Sequence, residues 1–86
     1  MVVKLTENAE KTFSQITSKY SDLRAAKFSN QTISTIEMIL QNNKIGSKYK
    51  KTSFRKFLIT NQVYLFYTIE KQIIYIVLFS IIKEIL

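Results

Sequence analysis

The sequence lacks the residue types on which most enzyme sites depend. Its 86 residues include no cysteine and no histidine. Without cysteine the protein has no disulfide, no thiolate metal ligand and no cysteine nucleophile, and without histidine the usual general base is missing. Most of the familiar hydrolase and metalloenzyme mechanisms are therefore excluded, and we expect neither a metal ion nor another cofactor.

Acidic residues and long apolar runs are also scarce. Six Asp and Glu stand against 13 Lys and Arg, which makes the formal net charge +7 and the pI about 9.8. Such a charge attracts a polyanion or an acidic protein partner.

The most apolar stretch, residues 73–82, is about half of the roughly 20 residues that a membrane-spanning helix needs. Since the N-terminus also lacks a secretory pattern, we expect a cytoplasmic protein with no membrane segment.

The length and composition indicate one domain. Hydrophobic residues make up 47% and charged residues 22% of the chain, as in globular proteins. A chain of this length can bury a single thin core and no second one. We therefore expect residues 1–86 to form one domain with one function.

The N-terminal half has the pattern of a strand followed by a helical hairpin. Residues 2–5 favour a strand, and Thr6 stands where an N-cap would lie. Ser21 and Asp22 then separate two stripes of apolar residues at helical spacing. The first stripe contains Ala9, Phe13, Ile16 and Tyr20, and the second contains Ala26, Ile33, Ile36 and Leu40, with Ile39 beside it. We predict that the second helix ends before Gly46, the only glycine, because Asn and Gly tolerate the left-handed conformation.

The C-terminal half has the composition of β-strands. β-branched and aromatic residues dominate three runs, at residues 54–59, 63–69 and 73–79. The connections are so short that neighbouring strands must be antiparallel. The sequence thus predicts an α+β fold of order β-α-α-β-β-β, with the helical hairpin packed on a small antiparallel sheet.

A basic segment, residues 44–56, is the clearest functional signal. No acidic residue lies between Glu37 and Glu70. The basic residues of the segment are Lys44, Lys48, Lys50, Lys51, Arg55 and Lys56. They could contact phosphates, while Tyr49, Phe54 and Tyr64 could stack on unpaired bases. The alternative is a solvated loop that attracts an acidic protein, and charge alone does not separate the two.

Adjacent residues of a strand point to opposite faces, so Arg55 and Lys56 should diverge. Arg55 is the stronger catalytic candidate, because a guanidinium can clamp a scissile phosphate and stabilise its charge without histidine. The alternative is an arginine at the rim whose stem packs on the sheet. Alternation also places Tyr64 with Phe66 on one face and Tyr67 on the other, so few tyrosine hydroxyls can reach any one site.

Several short motifs resemble the RelE/ParE superfamily of bacterial toxins. They are LTENAE at residues 5–10, Gly46 after the second helix, FRKFLI at residues 54–59 and YLFYTIE at residues 64–70. The resemblance extends from residue 5 to residue 79. It implies a cognate antitoxin, amphipathic and acidic, whose flexible C-terminal segment wraps the toxin in a heteromeric complex.

The resemblance implies two different activities. RelE-like toxins cut messenger RNA in the ribosome with basic residues and a tyrosine near the sheet, which would make Arg55 and Tyr67 catalytic here. ParE-like toxins inhibit DNA gyrase and need no nuclease site. Tyr64 stands where RelE-like toxins usually carry an arginine, and the ending SIIKEIL replaces a polar one.

The incomplete catalytic set favours a ParE-like toxin that blocks a macromolecular target such as DNA gyrase. The predicted contact residues are Lys48, Lys50, Lys51, Arg55, Lys56 and Tyr64. One alternative is a ribosome-dependent messenger RNA endonuclease, in which Arg55 and the lysines clamp the phosphate. The other is an inactivated toxin with an aberrant C-terminus, for which a frameshift near Phe79 is one explanation and a variant tail that extends the last strand is another.

Overall fold

The computed structural model describes residues 1–82. Its elements are β1 (Val2–Leu5), α1 (Glu7–Thr17), α2 (Asp22–Gln41), β2 (Ser47–Lys48), β3 (Arg55–Thr60), β4 (Val63–Glu70) and β5 (Ile73–Ile81). The predicted α+β class and the order of the predicted elements are confirmed. β2, a strand of two residues inside the basic segment, was not predicted. The last four residues of the ending SIIKEIL, 83–86, which we call with residues 80–82 the apolar tail, lie outside the described residues.

The strands form one mixed sheet in the order β1-β5-β4-β3-β2. β3, β4 and β5 form the predicted antiparallel meander, and β2 adds antiparallel to β3. β1 pairs with β5 in parallel, with Val2 opposite Ile73 and Leu5 opposite Ile76. The sheet is therefore mixed, whereas we expected an antiparallel sheet. Short connections constrain only strands that follow each other, whereas the long connection from β1 to β5 permits a parallel pair.

The two helices cover one face of the sheet and bury the core against it. The buried apolar residues are Ala9, Ile16, Phe28 and Ile39 from the helices and Val63, Leu65, Tyr67, Ile74, Ile76 and Phe79 from the sheet. The ring of Phe13 packs between those of Phe28 and Phe79, with centroid distances of 5.5 and 5.4 Å. On β4 the buried residues alternate with half-buried Tyr64 and Phe66, as predicted.

The buried face of α2 differs from the predicted stripe. It consists of Phe28, Thr32, Thr35 and Ile39. Of the residues in the predicted stripe, Ala26, Ile33 and Leu40 are exposed, and Ile36 packs partly against the core. Over most of the helix, the buried residues lie one position before the predicted ones. The two threonine hydroxyls donate to the carbonyls of Phe28 and Gln31, each at 2.9 Å. Because these bonds satisfy the hydroxyls, threonine can occupy core positions that a search for apolar residues overlooks.

Side-chain caps begin both helices as predicted. The Thr6 hydroxyl accepts from the backbone N–H of Ala9 at 3.1 Å, and the Ser21 hydroxyl accepts from that of Arg24 at 3.2 Å. α2 ends before Gly46 as predicted, but the predicted reason, a left-handed conformation, was wrong. Asn42 has φ −145°, and Gly46 has no positive φ. The left-handed conformation is thus not what requires glycine at position 46.

β5 is longer than predicted and includes part of the apolar tail. It pairs with β4 as far as Ile81, and the backbone N–H of Ile82 donates to the carbonyl of Gln62 at 2.7 Å. Beyond the end of β1, the Thr12 hydroxyl on α1 accepts from the N–H of Phe79 at 3.0 Å. The tail therefore continues the last strand up to Ile81. No helix within residues 1–82 is long and apolar enough to cross a bilayer.

Candidate functional site

The basic segment sends its side chains to different sides of the sheet. Arg55 lies opposite Tyr67 in the β3–β4 register, and Lys56 lies opposite Phe66. Tyr67 is buried on the side that the helices cover, whereas Phe66 is half-buried on the side that they leave uncovered. The predicted divergence of Arg55 and Lys56 is confirmed. Lys56, and not Arg55, lies on the uncovered side, which we call the open face.

Arg55 ties the loop after α2 to the start of β3. Its Nη1 donates to the carbonyl of Gly46 at 2.7 Å and, with a longer bond, to that of Lys44 at 3.4 Å. The side chain is only partly exposed. Arg55 therefore has a structural contact of the kind that the rim alternative describes, and its catalytic role stays a prediction.

Tyr67 holds the same loop against the sheet. Its hydroxyl donates to the carbonyl of Asn43 and accepts from the backbone N–H of Gly46, both at 2.9 Å. The residue is 0% exposed. A Cβ at Gly46 would lie 2.8 Å from Cε1 of Tyr67 and 2.9 Å from the carbonyl oxygen of Lys56. Close approach therefore requires glycine here, and the Tyr67 hydroxyl reaches a substrate only if the loop moves.

A pocket of about 260 Å³ lies beside this loop, where β4 extends beyond the first residue of β3. We call it the loop pocket. Its polar lining consists of the cations Lys44, Lys48 and Arg55, the hydroxyl residues Thr52, Ser53, Tyr67 and Thr68, and the amide of Asn43. Among residues 1–82, no carboxylate lines it. Two predicted contact residues, Lys48 and Arg55, thus meet on the edge of the sheet.

The open face holds a second group of predicted residues. The Tyr49 ring packs edge-on against Phe66, with centroids 5.2 Å apart, and the Tyr64 ring lies 6.3 Å from Phe66. Lys56 Nζ lies 4.7 Å from the centroid of Tyr64 and 5.9 Å from that of Tyr49, and Lys50 Nζ lies 5.2 Å from Tyr49. We call these five residues the open-face cluster. A groove of about 340 Å³ continues from Tyr49 and Phe66 to Leu78 and Ser80 on β5.

Some residues of these sites could have been found from the sequence and others could not. Phe66 shares the face of Tyr64 by simple alternation along β4. Thr52, Ser53 and Thr68 have no such signal, because the loop before β3 must first fold over the end of β4. There the Thr68 hydroxyl donates to the carbonyl of Ser53 at 3.2 Å. Lys51, also a predicted contact residue, is exposed and belongs neither to the loop pocket nor to the open-face cluster.

A third surface is a wide groove between α2 and β3, which sequence reasoning did not identify. It has a volume of about 580 Å³ and includes Leu23, Ala26, Met38 and Ile59. Leu23 is 83% exposed and Met38 is 40% exposed. We call it the α2 groove. Residues 1–82 contain no group of three or more Cys, His, Asp or Glu side chains that could hold a metal ion.

Comparison with known proteins identifies the fold. Neither a protein-family model nor a curated protein sequence matches the chain. Among solved structures, a chain of the chromosomal ParDE TA system from P. aeruginosa is similar with a TM-score of 0.79 and 13% identity, over 96% of this chain and 97% of that one. The YoeB dimer from Staphylococcus aureus gives 0.69 and 15% identity, over 91% and 92% of the chains. YafQ from E. coli gives 0.62 and 10% identity, over 92% and 90%.

Proposed function

We propose that this chain, which has the fold of the RelE/ParE toxins, is the toxin of a type II toxin–antitoxin system and acts by binding a macromolecular target. The observation that carries the proposal is the composition of the open face. Its cluster combines three aromatic rings with two lysines and contains neither a carboxylate nor an imidazole.

This composition suits binding better than RNA cleavage. Cleavage of a phosphodiester is aided by groups that remove and return protons, most often histidine or a carboxylate. Aromatic side chains with nearby cations are instead enriched at the centres of protein interfaces. The groove beside Tyr49 and Phe66 adds apolar surface for a partner to bury.

The predicted catalytic pair gives the nuclease alternative little support. Arg55 and Tyr67 are direct partners in the sheet, but they lie on the covered side, away from the open-face cluster. Both side chains bind the loop after α2, and Tyr67 has no exposed surface. By the resemblance to ParE-like toxins, we take DNA gyrase in the cytoplasm as the target to test first.

The α2 groove supports an antitoxin partner. The solved structures with this fold include the E. coli DinJ–YafQ complex, with a TM-score of 0.61 and 10% identity. Exposed Leu23 and Met38 offer an apolar surface to an amphipathic segment, and the net charge of +7 favours an acidic one. We propose a heteromeric complex in which the antitoxin segment occupies this groove.

The test is inducible expression in a bacterium that lacks the antitoxin. Growth, messenger RNA integrity and gyrase supercoiling activity are followed together, for the wild type and for Tyr64→Ala and Lys56→Gln. Lys19→Gln, which removes the same charge in the turn after α1, is the matched control. We expect growth arrest with impaired gyrase and intact messages, and relief of the arrest by the two open-face variants alone.

The other outcomes separate the alternatives. Arrest with cleaved messages, both lost in an additional Arg55→Ala variant that stays folded, would establish the endonuclease instead. Unimpaired growth at verified soluble expression would identify an inactivated toxin.

A further inference from the structure

The loop pocket gathers positive charge that the proposed function does not use. Lys44, Lys48 and Arg55 line it together, and none of its lining residues belongs to the open-face cluster. Like charges brought together on a folded surface repel one another unless an anion or solvent screens them. A carboxylate partner within the pocket would be the usual solution, but the described part of the chain places none in its lining.

The guanidinium of Arg55 is held in place while part of it stays available. Within residues 1–82, both of its hydrogen bonds leave from Nη1, to the carbonyls of Gly46 and Lys44. A guanidinium carries five N–H donors in a rigid plane. The donors on Nη2 and Nε are therefore held in a fixed orientation without being consumed by the loop.

Hydroxyl groups add neutral donors to the same pocket. The Thr68 hydroxyl has one proton, which it donates to the carbonyl of Ser53 at 3.2 Å, and its oxygen lies 3.4 Å from the hydroxyl oxygen of Ser53. Within residues 1–82 the Ser53 hydroxyl donates to no carbonyl or carboxylate, so its O–H proton can turn towards a ligand. The pocket thus presents cations and a hydroxyl donor to the same volume.

We propose that the loop pocket binds a phosphate group. A phosphate monoester carries about −1.5 to −2 charges and three acceptor oxygens, which match three cations and a hydroxyl better than the single charge of a carboxylate. Arginine also forms bidentate hydrogen bonds to phosphate, and lysine adds a compact charge. This site does not depend on the proposed function, because it would bind phosphate whether the open face blocks a target or not.

The test is a titration followed by ¹H–¹⁵N NMR spectra of the full chain. The ligands are inorganic phosphate, a short single-stranded RNA with a 5′-phosphate and the same RNA without it, all at one ionic strength held with chloride. We expect saturable shifts confined to residues 43–48, Ser53, Arg55 and Thr68. The comparison of the two RNAs tells a terminal phosphate from a backbone phosphate, and binding of inorganic phosphate alone would identify a free ion as the ligand.

Variants make the test specific to the pocket. Lys44→Gln and Lys48→Gln should each weaken phosphate binding by about fivefold, as expected for the loss of one partly solvated charge contact. Lys51→Gln removes the same charge from the same segment but outside the pocket, and should leave the affinity unchanged. Arg55 is not substituted, because it also holds the loop.

Three results would overturn the proposal. One is an equal loss of affinity in Lys51→Gln, which would show attraction to overall charge. Another is the absence of saturation, with shifts spread over all the lysines. The third is an acetate or acidic-peptide titration that saturates the same residues at least as tightly as phosphate does, which would assign the pocket to carboxylates.

Discussion

The hydroxyl of Tyr67 accepts a hydrogen bond from the backbone N–H of Gly46 at 2.9 Å, and the edge of its ring occupies the space that a Cβ at Gly46 would need. The buried tyrosine of β4 and the only glycine of the chain are thus two halves of one contact. It holds the loop after α2 against the sheet and so places Lys44 and Lys48 beside Arg55.

Tyr67→Phe should lower the free energy of unfolding by about 1–3 kcal/mol. The substitution keeps the ring but leaves the buried N–H of Gly46 without its acceptor and the carbonyl of Asn43 without its donor. Urea denaturation measures the change. Tyr64→Phe is the matched control, because it removes the same oxygen from the half-buried open face and should change stability by less than about 0.5 kcal/mol. Equal effects of the two substitutions would show that the Tyr67 hydroxyl does not anchor the loop.

Gly46→Ala should destabilise the fold by about 1–3 kcal/mol through overpacking. The new Cβ would meet both the Tyr67 ring and the backbone oxygen of Lys56, and the backbone cannot move aside as a flexible side chain could. Thermal unfolding provides the measurement, with Ser47→Ala at the next, exposed position as the control. If Gly46→Ala proved as stable as Ser47→Ala, the close approach would have no energetic consequence.

The turn between β4 and β5 should accept a more favourable sequence. Lys71 and Gln72 have φ values of 52° and 65°, the left-handed conformation that a type I′ hairpin turn requires at both central residues and that Asn-Gly adopts most readily. Lys71→Asn combined with Gln72→Gly should stabilise the protein by about 1 kcal/mol. The shift of the urea midpoint is the readout.

The hairpin between β3 and β4 offers the opposite case. Asn61 has no positive φ, so Asn61→Gly relieves no strain and should lower stability by adding freedom to the unfolded chain. A stabilisation by Asn61→Gly as large as that at the other turn would contradict the explanation.

Local signals in the sequence predicted the parts of the fold that depend on local physics. Thr6 and Ser21 cap helices because their hydroxyls reach backbone N–H groups three residues ahead. The meander followed from short connections between β-prone runs. The parallel pairing of β1 with β5 had no local signal, because its two strands are separated by most of the chain.

The candidate site was predictable only in part for the same reason. Strand alternation predicts which side of the sheet each of Arg55, Lys56 and Tyr64 occupies, once the strands are placed. Which face the helices cover depends on the buried side of α2, and there Thr32 and Thr35 replace the expected isoleucines. The loop pocket requires the loop before β3 to reach Thr68, a contact between residues 15 positions apart.

The α2 groove makes a prediction about the antitoxin. Leu23→Lys should weaken binding of the cognate antitoxin by about tenfold or more, because it places a charge in the apolar groove that the partner segment would bury. Isothermal titration calorimetry of the purified toxin with its antitoxin measures this. The thermal midpoint should stay nearly unchanged, since Leu23 is 83% exposed and contributes little to the core.

Ile33→Lys is the matched control for this prediction. Ile33 lies on the same helix and is 55% exposed, but it does not line the groove. The substitution adds the same charge, so it corrects for the added repulsion or attraction between the two whole proteins. If both variants weakened binding equally, the effect would come from net charge. If neither did, the antitoxin segment would bind elsewhere, and the exposed strand β1 at the other edge of the sheet would be the next surface to substitute.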